Sequence, residues 1–190
     1  MKSTLYLKFA LLYIVFGFLS LFTTSILGQQ LLLNQLENNA SQSLYKEANV
    51  MATTYLPSYF SNNMTSWSVH SQLSAMKIYL EATLWFVEED GTLITSSNLG
   101  TATAPAMIED FDPAEIGNSQ YIVGRYHGYF DEDVITIMAP VIQGFQTEGY
   151  LLIHKPVSTL EETCTQLMTT VHIILGAVYV LAFLILIGFH

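Results

Sequence analysis

Arg125 is the single arginine of the chain, and it lies in a run rich in aromatic residues, SQYIVGRYHGYF. A guanidinium presents a planar fork of donors that matches a carboxylate, so Arg125 is a candidate for binding an acidic ligand. The alternative, which the sequence favours somewhat more, is a surface ion pair with a nearby acid. His127 is a candidate pH reporter, although a solvated histidine near a turn is the commoner arrangement.

Acidic residues form two clusters that could bind a cation. The stretch EDFDPAE contributes Glu109, Asp110, Asp112 and Glu115, and a second cluster occupies residues 131–133. Carboxylate oxygens are ligands for calcium or magnesium, but neither cluster has the spacing of a calcium-binding loop. A solvated loop is the favoured interpretation, and a metal site is kept as a weak alternative.

No residue pattern typical of an enzyme is present. The sequence has no Gly-x-Ser-x-Gly motif, no phosphate-binding glycine loop and no cluster of His and Cys, and its histidines are scattered at positions 70, 127, 154, 172 and 190. We therefore expect no catalytic activity and no cofactor in these 190 residues. His154 and Lys155 are expected to meet lipid headgroups or to form a solvated strand end.

Two apolar segments lie at the ends of the chain, at 9–27 and 171–189. The first contains no charged residue, and the second is interrupted only by His172. About 20 apolar residues cross a bilayer as a helix, so we predict transmembrane helices over 9–30 and 169–190. A cleaved signal peptide is the less favoured alternative for the first, because its apolar run exceeds the usual ~7–15 residues.

The charge distribution predicts an orientation in the membrane. Lys2 and Lys8 place residues 1–8 on the cytoplasmic side, and two crossings return the C-terminus to that side, so residues 31–168 are expected outside the cell. Residues 34–168 carry four basic residues against all 16 acidic residues of the chain, a net of −12. This charge argues against a nucleic-acid partner, whose phosphates require a basic surface.

The outer segment changes from a helical to a strand period. Apolar residues spaced by three and four predict helices at about 31–56, ended by Pro57, and at about 69–80. Strands are predicted between about 83 and 155, beginning with a hairpin at Asp90-Gly91 in LWFVEEDGTLITSS and followed by SQYIVGRYHGYF, DVITIMAPVIQ and GYLLIHK. In the irregular segment 98–118, DPAEIG predicts a short helical turn capped by Asp112. The predicted fold is α+β, with one antiparallel sheet of about five strands flanked by two transmembrane helices.

This order of elements resembles the extracytoplasmic PAS-like (Cache, or PDC) sensor domain of bacterial sensor histidine kinases. The stretch DVITIMAPVIQGFQTEGYLLIHKPVSTLEE is similar to sensor kinases of Gram-positive bacteria. The resemblance covers nearly the whole chain and implies a two-pass protein of the bacterial cell membrane with a PAS-like domain over 31–168. Chemoreceptors and diguanylate cyclases carry the same outer domain, and a self-contained two-pass membrane protein that acts as a scaffold or partner subunit is a further alternative.

The resemblance also implies partners and a site. The implied partners are a second copy of the chain, a small-molecule, peptide or protein signal, and a response regulator that acts through a cytoplasmic kinase absent from these residues. The implied site lies between the sheet and its cover at about 98–120, with help from the loop 57–68. The candidate binding residues on the sheet rim are Trp85, Tyr121, Arg125, Tyr126, His127 and Tyr129.

The segment after the last strand is expected to transmit the signal. Pro156 ends the strand, and Ser158 with Glu161 forms a predicted capping box that starts an output helix at 159. Apolar residues at steps of four and three then predict a stripe that packs against a second copy of the helix. The stripe consists of Leu160, Cys164, Leu167, Val171 and Ile174. Cys164, the one cysteine, is expected to be a small packing residue, with a disulfide between subunits as the less favoured alternative.

Overall fold

The computed structural model describes residues 2–98, 105–117 and 121–188. The chain forms two compact units. The sheet unit is Glu37–Thr159, and the helix-pair unit combines Met1–Leu36 with Leu160–His190.

Most residues near the two ends of the chain are helical. In chain order the helices are α1 Lys2–Thr23, a π-helix Thr24–Gly28, α2 Gln29–Thr54, α3 Pro57–Phe60, α4 Ser66–Leu80, α5 Ala114–Gly117 and α6 Val157–Gly188. Two helical stretches, Lys8–Phe60 and Val157–Gly188, are long and apolar enough to cross a membrane. Proline begins α3, and the Thr65 hydroxyl accepts a hydrogen bond from the Ser68 N–H at the start of α4, as N-capping residues do.

In the part of the chain that the structure describes, five strands form a single antiparallel sheet. They are β1 Thr83–Glu88, β2 Leu93–Ser96, β3 Ile122–Gly124, β4 Val134–Gln143 and β5 Gln146–Pro156. Their order across the sheet is β2-β1-β5-β4-β3, so β5 is the central strand and pairs with both β1 and β4. The predicted α+β class with a five-stranded antiparallel sheet is confirmed.

The strand predicted over SQYIVGRYHGYF is much shorter than expected. Of the described part of this run, residues 121–130, only Ile122–Gly124 pairs with β4, and the chain then turns. Tyr126 and His127 both have positive φ, at 34° and 50°, and Gly128 follows at 78°. Such left-handed backbone cannot continue a strand, so the alternation of aromatic residues in this run reflects a folded loop instead.

The sheet has two buried faces, because successive side chains of a strand point to opposite sides. One face carries the aligned row Trp85, Leu152 and Met138, and the other carries the row Phe86, Leu151 and Ala139. The second face packs against helices, and the ring of Phe86 lies 5.6 Å from the rings of both Tyr59 and Phe60. The first face is covered by Ile108, which lies in a loop, and by Ile116 of α5.

Pro140 lies inside β4, where a proline would normally disrupt pairing. Because β3 pairs with β4 only as far as Thr136, β4 is an edge strand at Pro140. A proline is tolerated at such an edge because its missing N–H is not needed by a neighbouring strand. The early end of β3 also leaves this part of the sheet open to one side.

Candidate functional site

A cavity of about 570 Å³ lies beside this open part of the sheet. Its volume is within the range of small-molecule sites. Its lining comes from α2, the segment around α5, β4 and β5, and consists of Gln42, Tyr45, Pro113, Ala114, Ile116, Met138, Pro140 and Tyr150. The central strand β5 therefore contributes directly to the cavity wall.

The described lining of the cavity is apolar with a few neutral polar groups. Among the described lining residues, two phenol hydroxyls and the Gln42 amide are the polar side-chain groups, and none of the side chains is charged. Burial raises the pKa of the Tyr150 hydroxyl, and the negative charge of Glu89 adds to the rise. The hydroxyl therefore stays protonated at neutral pH and can donate a hydrogen bond as well as accept one.

A second arrangement on the same sheet face is an aromatic enclosure around His154. The imidazole is fully buried, and its ring centroid lies 4.4 Å from that of Trp85 and 4.8 Å from those of Tyr126 and Phe130. The Nδ1 atom of His154 shares a hydrogen bond of 2.9 Å with the Thr136 hydroxyl. Burial away from water disfavours the imidazolium and lowers the pKa of His154 to about 3.

Two buried polar atoms of the enclosure have no partner among the described residues. Within the described part of the chain, neither Trp85 Nε1 nor His154 Nε2 has a hydrogen-bond partner. A buried donor or acceptor that lacks a partner costs free energy, so these two atoms lower the stability of the fold. Unpaired buried groups and strained backbone, as at Tyr126 and His127, are often found at functional sites.

Three of the predicted rim residues lie together, and Arg125 and Tyr121 do not join them. Trp85, Tyr126 and Tyr129 come together, because the Trp85 ring centroid lies 6.1 Å from that of Tyr126 and 5.8 Å from that of Tyr129. Arg125 is exposed, and among the described residues no ion pair involves it. The Tyr121 hydroxyl donates to the Asn38 side-chain oxygen over 3.4 Å, so this residue contacts α2.

His127 joins the cover to the loop that encloses His154. Its Nε2 atom lies 3.2 Å from a carboxylate oxygen of Glu115, one of the residues of α5. The Tyr129 hydroxyl accepts a hydrogen bond from the Glu109 N–H over 3.2 Å. The cover 105–117 is therefore held to the loop by two polar contacts. Residues 99–104 and 118–120 of the predicted cover lie outside the described residues.

The predicted acidic cluster has structural contacts. The Asp112 carboxylate accepts a hydrogen bond from the Ala114 N–H over 2.8 Å, as predicted for a helix cap. Glu115 contacts His127, and Asp110 has a positive φ of 52°. Within the described ranges, no three His, Cys, Asp or Glu side chains are close enough to share a metal ion.

His154 is the residue that sequence reasoning misplaced. The expectation of lipid contact or a solvated strand end is wrong, because the side chain is fully buried. A signal was present in the sequence, since Tyr150, Leu152 and His154 alternate along β5 and therefore share one face of the sheet. The partner Thr136 could not be identified without the register that aligns it with His154.

The predicted output segment follows the sheet directly. β5 ends at Pro156 and α6 begins at Val157, so Ser158 lies in the first helical turn and the predicted capping box is wrong. The Val157 N–H instead donates to the Asp133 carbonyl over 2.9 Å. Glu161 is exposed, and its backbone carbonyl accepts a hydrogen bond from the Thr165 hydroxyl.

The buried row of α6 differs from the predicted stripe. Leu160, Cys164 and Met168 are buried, whereas Leu167 is 44% exposed. Steps of four along a helix keep side chains on nearly one face, so the row that packs within the chain runs through Met168. The predicted contact with a second copy of the helix remains a prediction.

Several solved structures are similar to part of this chain. The sensor domain of the V. cholerae histidine kinase DctB is 16% identical, with a TM-score of 0.48 over 74% of this chain and 59% of that chain. The ligand-binding domain of the Campylobacter jejuni chemoreceptor Tlp3, in complex with L-valine, is 16% identical, with a TM-score of 0.43 over 78% of this chain and 66% of that one. The same Tlp3 domain in complex with L-norvaline is 17% identical, with a TM-score of 0.45 over 76% and 63%.

This chain therefore spans less than two thirds of each of those chains. No model of a known protein family matches the chain, and no curated protein matches it. Similarity of fold alone does not establish function.

Proposed function

We propose that the chain is the extracytoplasmic sensing and transmembrane signalling region of a bacterial two-component sensor histidine kinase. Residues 31–168 form a PAS-like sensor domain outside the cell, and two helices anchor it in the cell membrane with both termini in the cytoplasm. The chain acts as a homodimer and controls a cytoplasmic kinase, which phosphorylates a response regulator. The stimulus is a small molecule, a peptide or a protein.

The junction between β5 and α6 carries this proposal. β5 is the central strand, and α6 begins at the residue after it, with no connecting loop. The same α6 is apolar enough to cross a membrane. A displacement of β5 is therefore passed to a membrane helix without a flexible linker that would absorb it.

The position of the cavity supports a sensing role for the sheet unit. Tyr150 lines the cavity and His154 lies in the aromatic enclosure, and both belong to β5. A molecule bound in the cavity would contact the strand that continues into α6. The neutral, partly apolar lining suits an uncharged or amphipathic small molecule better than a strongly charged one.

The sequence of the native gene beyond codon 190 tests the proposed output. A short linker followed by a helix with a phosphoacceptor histidine and nucleotide-binding motifs is the expected result. A long heptad hairpin would indicate a chemoreceptor, and a cyclase domain would indicate a diguanylate cyclase. A stop codon directly after codon 190 would overturn the receptor and favour a two-pass scaffold protein.

A further inference from the structure

The two membrane-spanning segments of the helix-pair unit contact each other through a row of specific side chains. Near one end, the Tyr13 hydroxyl donates to the Tyr179 carbonyl over 2.7 Å, and the Tyr13 ring stacks on that of Phe183 at 5.9 Å. A Cβ atom on Gly17 would lie 3.6 Å from the Tyr179 ring, which identifies a close approach of the two helices.

Towards the other end, the contacts become polar and sulfur-containing. A Cβ atom on Gly28 would lie 3.2 Å from the terminal methyl of Met168, and the Cys164 thiol lies 3.6 Å from the Gln29 carbonyl oxygen. Cys164, Met168 and His172 are spaced by four residues, so they share one face of α6. That face is the one that meets the first helical segment.

The central contact of this row joins Ser25 to His172. The Ser25 hydroxyl and the Nε2 atom of His172 lie 2.7 Å apart, a short hydrogen bond between residues 147 positions apart in the chain. His172 is the one Asp, Glu, Lys, Arg or His residue in the segment 171–188. Ionisable residues inside membrane spans are costly, and they are retained mainly where they perform a function.

The first helical segment departs from α-helical geometry at this contact. Thr24–Gly28 forms a π-helix, and Ser25 and Gly28 both lie within it. The contact residues Tyr13, Gly17 and Ser25 are separated by four and eight positions. In an ideal α-helix each step of four residues rotates the side chain by about 40° beyond a full turn, so side chains at this spacing drift away from a common face. A wider π turn counteracts this drift, so it keeps Ser25 and Gly28 facing α6. Single π turns in α-helices occur frequently at functional sites.

We propose that the hydrogen bond between Ser25 and His172 is a register lock, which holds the two spans in one of two axial positions. Its role in signalling rests on the proposed function: the stimulus shifts α6, and the shift breaks this bond. In an apolar environment the His172 imidazole has few alternative partners, so the bond favours one register over neighbouring ones. The packing of Gly28 against Met168 and of Gly17 against Tyr179 defines the register that the bond selects.

Disulfide cross-linking between the spans tests the lock in the full chain. In a Cys164→Ser background, Gly28→Cys and Met168→Cys place a thiol on each span at the close approach. The rate of intramolecular disulfide formation is measured in native membranes after addition of copper phenanthroline. We expect Ser25→Ala and His172→Ala each to slow cross-linking several-fold, and the double variant to be no slower than either single variant, because all three remove the same bond.

Matched variants separate the lock from a general loss of packing. Thr23→Ala removes a hydroxyl that donates to the Leu19 carbonyl within its own helix, so its cross-linking rate should equal that of the parent. Ser25→Thr keeps the hydroxyl and should retain most of the parent's cross-linking rate. If Ser25→Ala fails to accumulate, His172→Ala alone tests the loss of the bond. Parent-like rates in Ser25→Ala and His172→Ala would overturn the lock, as would independent, multiplicative losses in the double variant.

The output of the full-length receptor distinguishes failure of the lock from failure of the proposed function. If the lock controls signalling, Ser25→Ala and His172→Ala shift the basal output in the same direction, and Ser25→Thr does not. Altered cross-linking without any change in output would leave the register lock standing and contradict its use in signalling.

Discussion

The imidazole of His154 and the indole of Trp85 lie edge to face, with ring centroids 4.4 Å apart and both side chains fully buried. They occupy neighbouring strands, β5 and β1, on the sheet face that the loop 125–130 covers. Because β5 continues into α6, this pair lies close to the point where the sheet is joined to α6.

Acid should destabilise the fold through His154. Burial lowers its folded-state pKa to about 3, below the ordinary value of 6.5, so the unfolded chain binds a proton that the folded chain does not. Stability is then unaffected by this residue above pH 6.5 and falls by about 1.4 kcal/mol for each pH unit below it, down to the folded pKa. Between pH 6.5 and 5 the loss is about 2 kcal/mol, measurable by urea unfolding of the full chain in detergent.

The variant His154→Leu isolates this contribution from that of the carboxylates. Between pH 6.5 and 5, the free energy of unfolding of this variant should fall by about 2 kcal/mol less than that of the parent. Identical pH profiles for parent and variant would mean that His154 is not held neutral by burial.

Two substitutions of Trp85 separate the stabilising effect of its ring from the destabilising effect of its buried N–H. Trp85→Ala should cost about 3–5 kcal/mol, because it opens a cavity in the core. Trp85→Phe keeps an aromatic ring and removes a buried donor that has no partner among the described residues, so it should remain within about 1 kcal/mol of the parent. Equal losses in the two variants, measured by urea unfolding, would show that the indole N–H makes a stabilising bond.

Gly149 is required by the close approach of two strands. A Cβ atom at this position would lie 2.3 Å from the Val87 carbonyl oxygen, which is backbone and cannot turn aside. Gly149→Ala should therefore cost about 3 kcal/mol in the free energy of unfolding. Gly144→Asn is the control, because the space around Gly144 is open and asparagine tolerates its φ of 65°. A loss in the control as large as that in Gly149→Ala would contradict the steric explanation.

A flexible insertion at the junction should uncouple sensing from output. Two glycines placed between Pro156 and Val157 interrupt the direct connection of β5 to α6. The full-length receptor should then lose its response to stimulus, measured as autophosphorylation, while the thermal unfolding of the sheet unit changes little. The same insertion after Gly144, in the exposed turn between β4 and β5, should preserve the response. A normal response from the junction variant would contradict direct transmission from β5 to α6.

Local sequence signals predicted most of the fold. Asp90-Gly91 marked the first hairpin, and Gly91 has the positive φ of 88° that such a turn requires. Pro57 marked the end of the long helix, and Asp112 marked a helix start. These features depend on a few neighbouring residues, which is why the sequence reveals them.

The candidate site depends on contacts that local patterns do not encode. The loop 125–130 folds back over the sheet because Tyr126 and His127 adopt positive φ, which aromatic alternation alone did not indicate. The pairing of His154 with Thr136 requires the register of β4 on β5, and the pairing of Ser25 with His172 requires two helices far apart in the sequence to meet. Each of these contacts is set by tertiary packing.

The membrane topology of the chain tests the central claim most directly. In a Cys164→Ser background, Asn63→Cys reports on the sheet unit and Ser3→Cys reports on the N-terminal side, and a membrane-impermeant maleimide labels only thiols that it can reach. We predict that intact cells label Asn63→Cys and that Ser3→Cys is labelled only after lysis. Labelling of Ser3→Cys in intact cells, with Asn63→Cys protected until lysis, would place the sheet unit in the cytoplasm and contradict the proposed extracytoplasmic sensor.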